Sequence, residues 1–169
     1  ESVSVAVGTQ AYDSMVQTVS VSGGVTVTGT GGKAAVKTEN VSGTITVTGV
    51  RGKFEGEVVS GEIQATVAAA DHIDVSSVSG EIAVNAELTS TASIDMESVS
   101  GAIMLRIKPP VNADFDVASF SGDIDVCFGP KARSTSKFTP GSELSFTQGS
   151  GGARVQVQTL SGEINICDR

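Results

Sequence analysis

Tryptophan is absent, tyrosine occurs once, and aromatic residues make up 4% of the 169 positions. A core without large rings must be built from small branched side chains in thin layers, and hydrophobic residues are 39% of the chain. No run approaches the ~18 consecutive apolar residues of a membrane span. Positive charge is scarce: 11 Lys and Arg face 19 Asp and Glu, a formal net charge of −8. That balance excludes nucleic acid and anionic membrane surfaces as electrostatic partners. Neither Asn-Gly nor Asp-Gly occurs, which argues against a sandwich of tight antiparallel hairpins. The only histidine is His72, placed at a corner of the pattern described below, where a surface role is expected.

What is abundant is a repeat. Ser-Gly pairs stand at Ser22-Gly23, Ser42-Gly43, Ser60-Gly61, Ser79-Gly80, Ser100-Gly101, Ser121-Gly122 and Ser161-Gly162. Successive glycines lie 20, 18, 19, 21, 21 and 40 residues apart. The last gap is twice the others, so a further repeat is expected near Ser142. A period of about twenty residues marks a repeat architecture.

Aligned on the glycine, four columns are apolar. Seven residues before it stand Val16, Val36, Phe54, Ile73, Ile94, Phe115 and Val155, and two before it Val21, Val41, Val59, Val78, Val99, Phe120 and Leu160. Two after it stand Val25, Ile45, Ile63, Ile82, Ile103, Ile124 and Ile164, and four after it Val27, Val47, Ala65, Val84, Leu105, Val126 and Ile166. The residues between are mostly polar, so each arm reads as a half-buried strand with period two. The glycines Gly23, Gly43, Gly61, Gly80, Gly101, Gly122 and Gly162 are expected to be structural corners that need positive φ.

A coil of this length cannot bury its own apolar face, but stacked coils can. The expected fold is all-β: a single-domain parallel β-solenoid over 1–169, with about eight coils of about 20 residues and a rise of ~38 Å. Right-handed winding is expected by analogy with parallel crossovers. Residues 1–15 read as a partial first coil that begins in mid-pattern, as in a trimmed or mature fragment, so the lack of a targeting segment carries no weight. Residues 129–152 read as an irregular coil. Gly129-Pro130 opens it, Lys131, Arg133 and Lys137 make it locally basic, and Glu143-Leu144-Ser145-Phe146 fits the strand pattern. Leu88 and Val111, on longer links, are expected to point inward.

The repeated Val-Ser-Gly-(Glu/Asp)-Ile-x-Val, clearest in Gly152-Ala153-Arg154-Val155-Gln156-Val157-Gln158-Thr159-Leu160-Ser161-Gly162-Glu163-Ile164, resembles the bacterial adhesin-like β-strand-repeat family. The resemblance covers nearly all of residues 16–168. It implies a domain of unknown function in cell-envelope proteins, with no catalytic residues to carry over and with an unidentified protein or glycan as partner.

Candidate sites are carboxylate columns. Glu62, Glu81, Glu143, Asp123 and Glu163 follow the glycine, with Ala102 interrupting; Glu55, Asp74, Asp95 and Asp116 stand six residues before it. Asp74, Asp95 and Asp116 are the weak candidates for a divalent cation, although the Gly-Gly-x-Gly-x-Asp repeat of calcium-binding β-rolls is missing. A carbohydrate-active β-helix enzyme would need two carboxylates in differently tuned environments. Here they repeat alike and no long loops wall a cleft, so no catalytic residue and no cofactor are expected. Paired threonines at Thr26, Thr28, Thr44, Thr46 and Thr48 hint at ice binding, but the array ends after two coils. The expected function is a non-catalytic structural or interaction module, with self-association through the solenoid ends as a further option. Cys127 and Cys167 both lie five residues after their glycine and are expected to point outward. With a coil carrying Thr147 between them, they would be ~9.6 Å apart and both free; if 129–152 is an excursion, they become neighbours and can bridge.

Overall fold

The computed structural model describes residues 2–7, 14–29, 33–134 and 141–168. Its elements in chain order are β1 (Val3–Val7), β2 (Ser14–Ser22), β3 (Val25–Gly29), β4 (Lys33–Ser100), β5 (Ile103–Ile107), β6 (Ala113–Ser121), β7 (Ile124–Val126), β8 (Arg133–Ser134), β9 (Ser142–Gln148), β10 (Ala153–Ser161) and β11 (Ile164–Cys167). All are extended and join one 11-stranded sheet, with no helix among the described residues. β4 is a single extended run that bends through several repeats without breaking. The fold is all-β and solenoid-like: equivalent positions of successive repeats pair in parallel, as in Val25↔Ile45, Val27↔Val47, Ile82↔Ile103 and Val84↔Leu105.

Three apolar columns build the core. Val36, Phe54, Ile73, Ile94, Phe115 and Val155 are buried, as are Val25, Ile45, Ile63, Ile82, Ile103 and Ile164, and Val27, Val47, Ala65, Val84, Leu105, Val126 and Ile166. Leu88 and Val111 pack against this core from their links, as expected. The glycine column is held by two constraints at once. φ runs from 110° at Gly23 to 155° at Gly162, a region that penalises a Cβ. A Cβ would also strike the glycine carbonyl of the neighbouring coil: Gly80 meets Gly61, Gly101 meets Gly80, Gly162 meets Gly101 and Gly122 meets Gly162. At the Gly23 corner a side chain from the next coil satisfies the carbonyl: Asn40 Nδ2 donates to Gly23 O at 2.9 Å.

That glycine ladder reveals an order of coils unlike the order of the chain. β10 pairs in parallel with the 93–100 part of β4 on one side (Val155↔Ile94) and with β6 on the other (Val155↔Phe115). β11 likewise lies between β5 and β7, with Ile164 opposite both Ile103 and Ile124. The chain leaves one place empty after the Gly101 coil, builds the Gly122 coil beyond it, and later returns to fill the gap.

The described parts of the intervening segment, 129–134 and 141–152, do not form a parallel coil, which corrects the expectation for 129–152. β9 runs antiparallel to β6, with Phe115↔Phe146 and Ala118↔Glu143 in register, and β8 runs antiparallel to β9. The physical reason is that the last coil exposes an apolar end. Phe146 stacks on Phe115 at 4.8 Å and Phe128 meets Phe115 edge-on at 5.6 Å, so rings cover the end of the core. Glu143 therefore leaves the column following the glycines. Lys137 falls outside the described residues.

The same topology corrects the cysteine expectation. No coil separates β7 from β11, Cys127 N–H donates to Ile166 O at 2.9 Å, and the two Cα atoms are 5.0 Å apart. Cys127 and Cys167 form a disulfide across 40 residues of chain. Both point away from the core, as expected, but they lie on adjacent strands rather than two strands apart.

Candidate functional site

The fourth apolar column does not enter the core. Val41, Val59, Val78, Val99, Leu160 and Phe120, two residues before their glycines, are 47–59% exposed, and Val21 at the end of the stack is 72% exposed. The residues inside the wall at that level are polar except Val58. Asn40, Ser77, Ser98, Thr159 and Ser119, three before the glycine, are buried. Strand parity explains the inversion. Counting by two from the buried seventh position before the glycine reaches the fifth and third positions, and the phase changes only at the corner itself. Among the described residues the hydroxyls of Ser77, Ser98, Ser119 and Thr159 have no protein hydrogen-bond partner, and they line the floor of the groove described next.

The exposed column and its neighbours line a groove of about 740 Å³ along the stacking direction. Stacked coils place the apolar side chains ~4.8 Å apart, so Val41 to Phe120 make a ladder of roughly 24 Å. One flank carries Glu39, Glu57, Glu97 and Glu143. Lys37 binds Glu39 at 3.1 Å and Glu57 at 3.8 Å. Glu97 and Glu143 have no ion pair among the described residues, although Arg133 lies opposite Glu143 in the β8–β9 register. Beyond the Ser-Gly corner lies the second carboxylate column, with exposed Glu81, Glu163 and Asp123. The groove thus has the apolar ladder as one wall and Glu39, Glu57 and Glu97 on the other, with the column of Asn40, Ser77 and Ser98 between them. A smaller hollow of about 430 Å³ near Pro109 is bordered by Lys108 and Glu87, which pair at 3.2 Å.

The carboxylates singled out as cation candidates are not brought together as one run. Gln156 sits in register between Asp95 and Asp116, which separates them, and Asp116 faces Ser145 on its other side. Among the described residues, no group of three His, Cys, Asp or Glu is placed to hold a metal ion. Nor are the environments alike. A hydrogen bond from Lys53, at 2.5 Å, holds the Glu55 carboxyl below the usual range. Burial first, and the Asp74 charge second, push Asp95 up, with His72 opposing. Its Oδ1 is buried without a hydrogen-bond partner.

Asp95 therefore opposes folding when ionised. The unfolded carboxyl ionises first, so the penalty builds as pH rises above the unfolded pKa and is complete once pH has passed the higher folded one. Asp95→Asn is expected to stabilise the protein at pH 7 by up to about 1 kcal/mol, because the side chain remains partly exposed and solvent screens the charge. The gain should shrink as pH falls and wild-type Asp95 takes up its proton. Thermal melts of both proteins from pH 3 to 8 check this; a constant or absent gain sinks the argument.

Comparison with known proteins identifies the architecture. The Toastrack DUF4097 family model matches residues 7–167, nearly the whole chain. The chain belongs to this family, a domain of unknown function with a β-structured fold. No curated protein and no solved structure matches it.

Proposed function

We propose that this Toastrack domain is a non-catalytic interaction scaffold of the cell envelope or the extracellular side, adhesin-like in use. In this reading the seven Ser-Gly coils, wound right-handed, hold a docking face at fixed spacing and the partner is a protein. The observation that carries the proposal is the ladder Val41, Val59, Val78, Val99, Leu160 and Phe120, apolar at every rung and about half-exposed at each. Contiguous exposed apolar surface rimmed by charge marks interaction sites on soluble domains. The surrounding solenoid is rigid by construction, since each coil is paired in register with its neighbours, and a rigid face lowers the ordering cost of binding. The Cys127–Cys167 bridge supports an oxidising location, because disulfides persist there and are reduced in the cytosol.

Photo-crosslinking in the producing cell tests the proposal. A photoreactive residue at Val78 or Val99 should give discrete adducts with a partner protein, and one at Thr28 or Thr48, on the opposite arm, should give none. Adducts only at Thr28 or Thr48, or none at any position, overturn it.

A further inference from the structure

The chemistry of the groove narrows its occupant, on the premise that the groove is the docking face proposed above. The ladder offers one aliphatic or aromatic side chain per coil at ~4.8 Å intervals. An α-helix laid along it presents one turn every 5.4 Å, so a helix with one apolar residue per turn slips by only ~0.6 Å per rung and stays in step across the three rungs Val78, Val99 and Leu160, while about 16 residues span the whole ladder. Recognition of an amphipathic helix in an apolar groove uses this i, i+3/i+4, i+7 spacing.

Charge then selects the helix. One wall of the groove is acidic, with Glu57 and Glu97, and Glu81 and Glu163 stand beyond the Ser-Gly corner, three residues on from Val78 and Leu160. The chain as a whole carries −8. A second copy would bring the same carboxylates face to face, and an anionic membrane would meet them with like charge. A helix whose apolar stripe is bordered by Lys or Arg answers both sets of carboxylates. Lys37 already neutralises part of the Glu39–Glu57 end, with contacts of 3.1 and 3.8 Å. The attraction is therefore greatest around Glu97 and Glu81, near Val99 and Leu160.

We infer that the groove binds a cationic amphipathic helix of a partner protein. Its apolar residues seat on the Val78–Val99–Leu160 part of the ladder, and its basic residues face Glu97 and Glu81.

A titration with synthetic 16-residue helical peptides tests this. The probe carries a leucine stripe flanked by lysines, one control scrambles the same composition, and another replaces each lysine by glutamate. The lysine-flanked peptide should bind, and the glutamate peptide should not. Val78→Thr with Val99→Thr should weaken binding at least tenfold. Both positions are half-exposed, so the variant should melt with the wild type. Glu97→Gln with Glu81→Gln should weaken binding and flatten its salt dependence more than Glu39→Gln does. Equal binding by the scrambled peptide, indifference to the valine changes, capture by anionic vesicles, or a wild-type dimer lost on Val78→Thr would each overturn the inference. Crosslinks at Val78 and Val99 in the cell without peptide binding would leave the interaction reading standing and remove the cationic helix. Loss of both results would remove both.

Discussion

Ile82→Asp should unfold most of the protein under conditions where Glu81→Ala leaves it intact. Ile82 is fully buried, and its column neighbour Ile103 lies opposite it in the parallel register. The substitution removes a buried aliphatic side chain, worth about 1.5–3 kcal/mol. It also places a carboxylate where the neighbouring positions, Ile63 and Ile103, are apolar, so the charge finds neither water nor a partner. The total is expected to exceed about 4 kcal/mol, against a stability of about 5–15 kcal/mol for a domain. Glu81, one residue away, is exposed and makes no ion pair among the described residues, so its loss should stay within about 0.5 kcal/mol. Urea unfolding followed by circular dichroism compares the two. Equal midpoints would mean that the column is not a core column.

The residue pattern made the inward columns and the glycine corners legible because both are local consequences of strand parity and of positive φ. Three features were not legible, each for a physical reason. The column of Val78 and Val99 was grouped with the core because it is apolar, yet parity counted from Ile73 and Ile94 sends Ser77 and Ser98 inward and the valines outward. Counting through Ser77 rather than averaging hydrophobicity would have found the groove. The direction of β9 was misread because alternation with period two is the same in a parallel and an antiparallel strand. Only the ring contacts of Phe115, Phe128 and Phe146 distinguish an end cap from another coil. The order of coils was hidden because every repeat offers the same ladder to either neighbour. Ile164 fits between Ile103 and Ile124 as well as it would fit beyond Ile124. The carboxylate column changes meaning with that order, since the insertion places Gln156 rather than a third aspartate beside Asp95.

Removing the Cys127–Cys167 bridge should destabilise the protein by up to about 4 kcal/mol, and the loss should begin at the inserted coil. The bridge closes a 40-residue loop, and constraining a loop of that length in the unfolded chain is worth about 4 kcal/mol. Its position concentrates the effect. β7 has only three residues and, among the described residues, pairs with β11 alone, and Ile124 in it is only partly buried. β11 fills a gap that the rest of the chain leaves open between β5 and β7. Without the bridge, β10 and β11 are held by ladder hydrogen bonds and by Val155, Val157, Ile164 and Ile166 in the core. They can then leave as a unit before the β4 coils open, as partial unfolding commonly proceeds. Cys127→Ser, Cys167→Ser and the double variant should therefore share one lowered denaturation midpoint, since each deletes the same bond. Hydrogen exchange should show protection lost first across 153–167 and 124–126, while amides around Ile45 and Ile63 stay protected. Superimposable melts of oxidised and reduced protein would mean that the bridge follows the insertion without securing it. A uniform loss of protection along the chain would mean that the inserted coil and the rest of the stack open together.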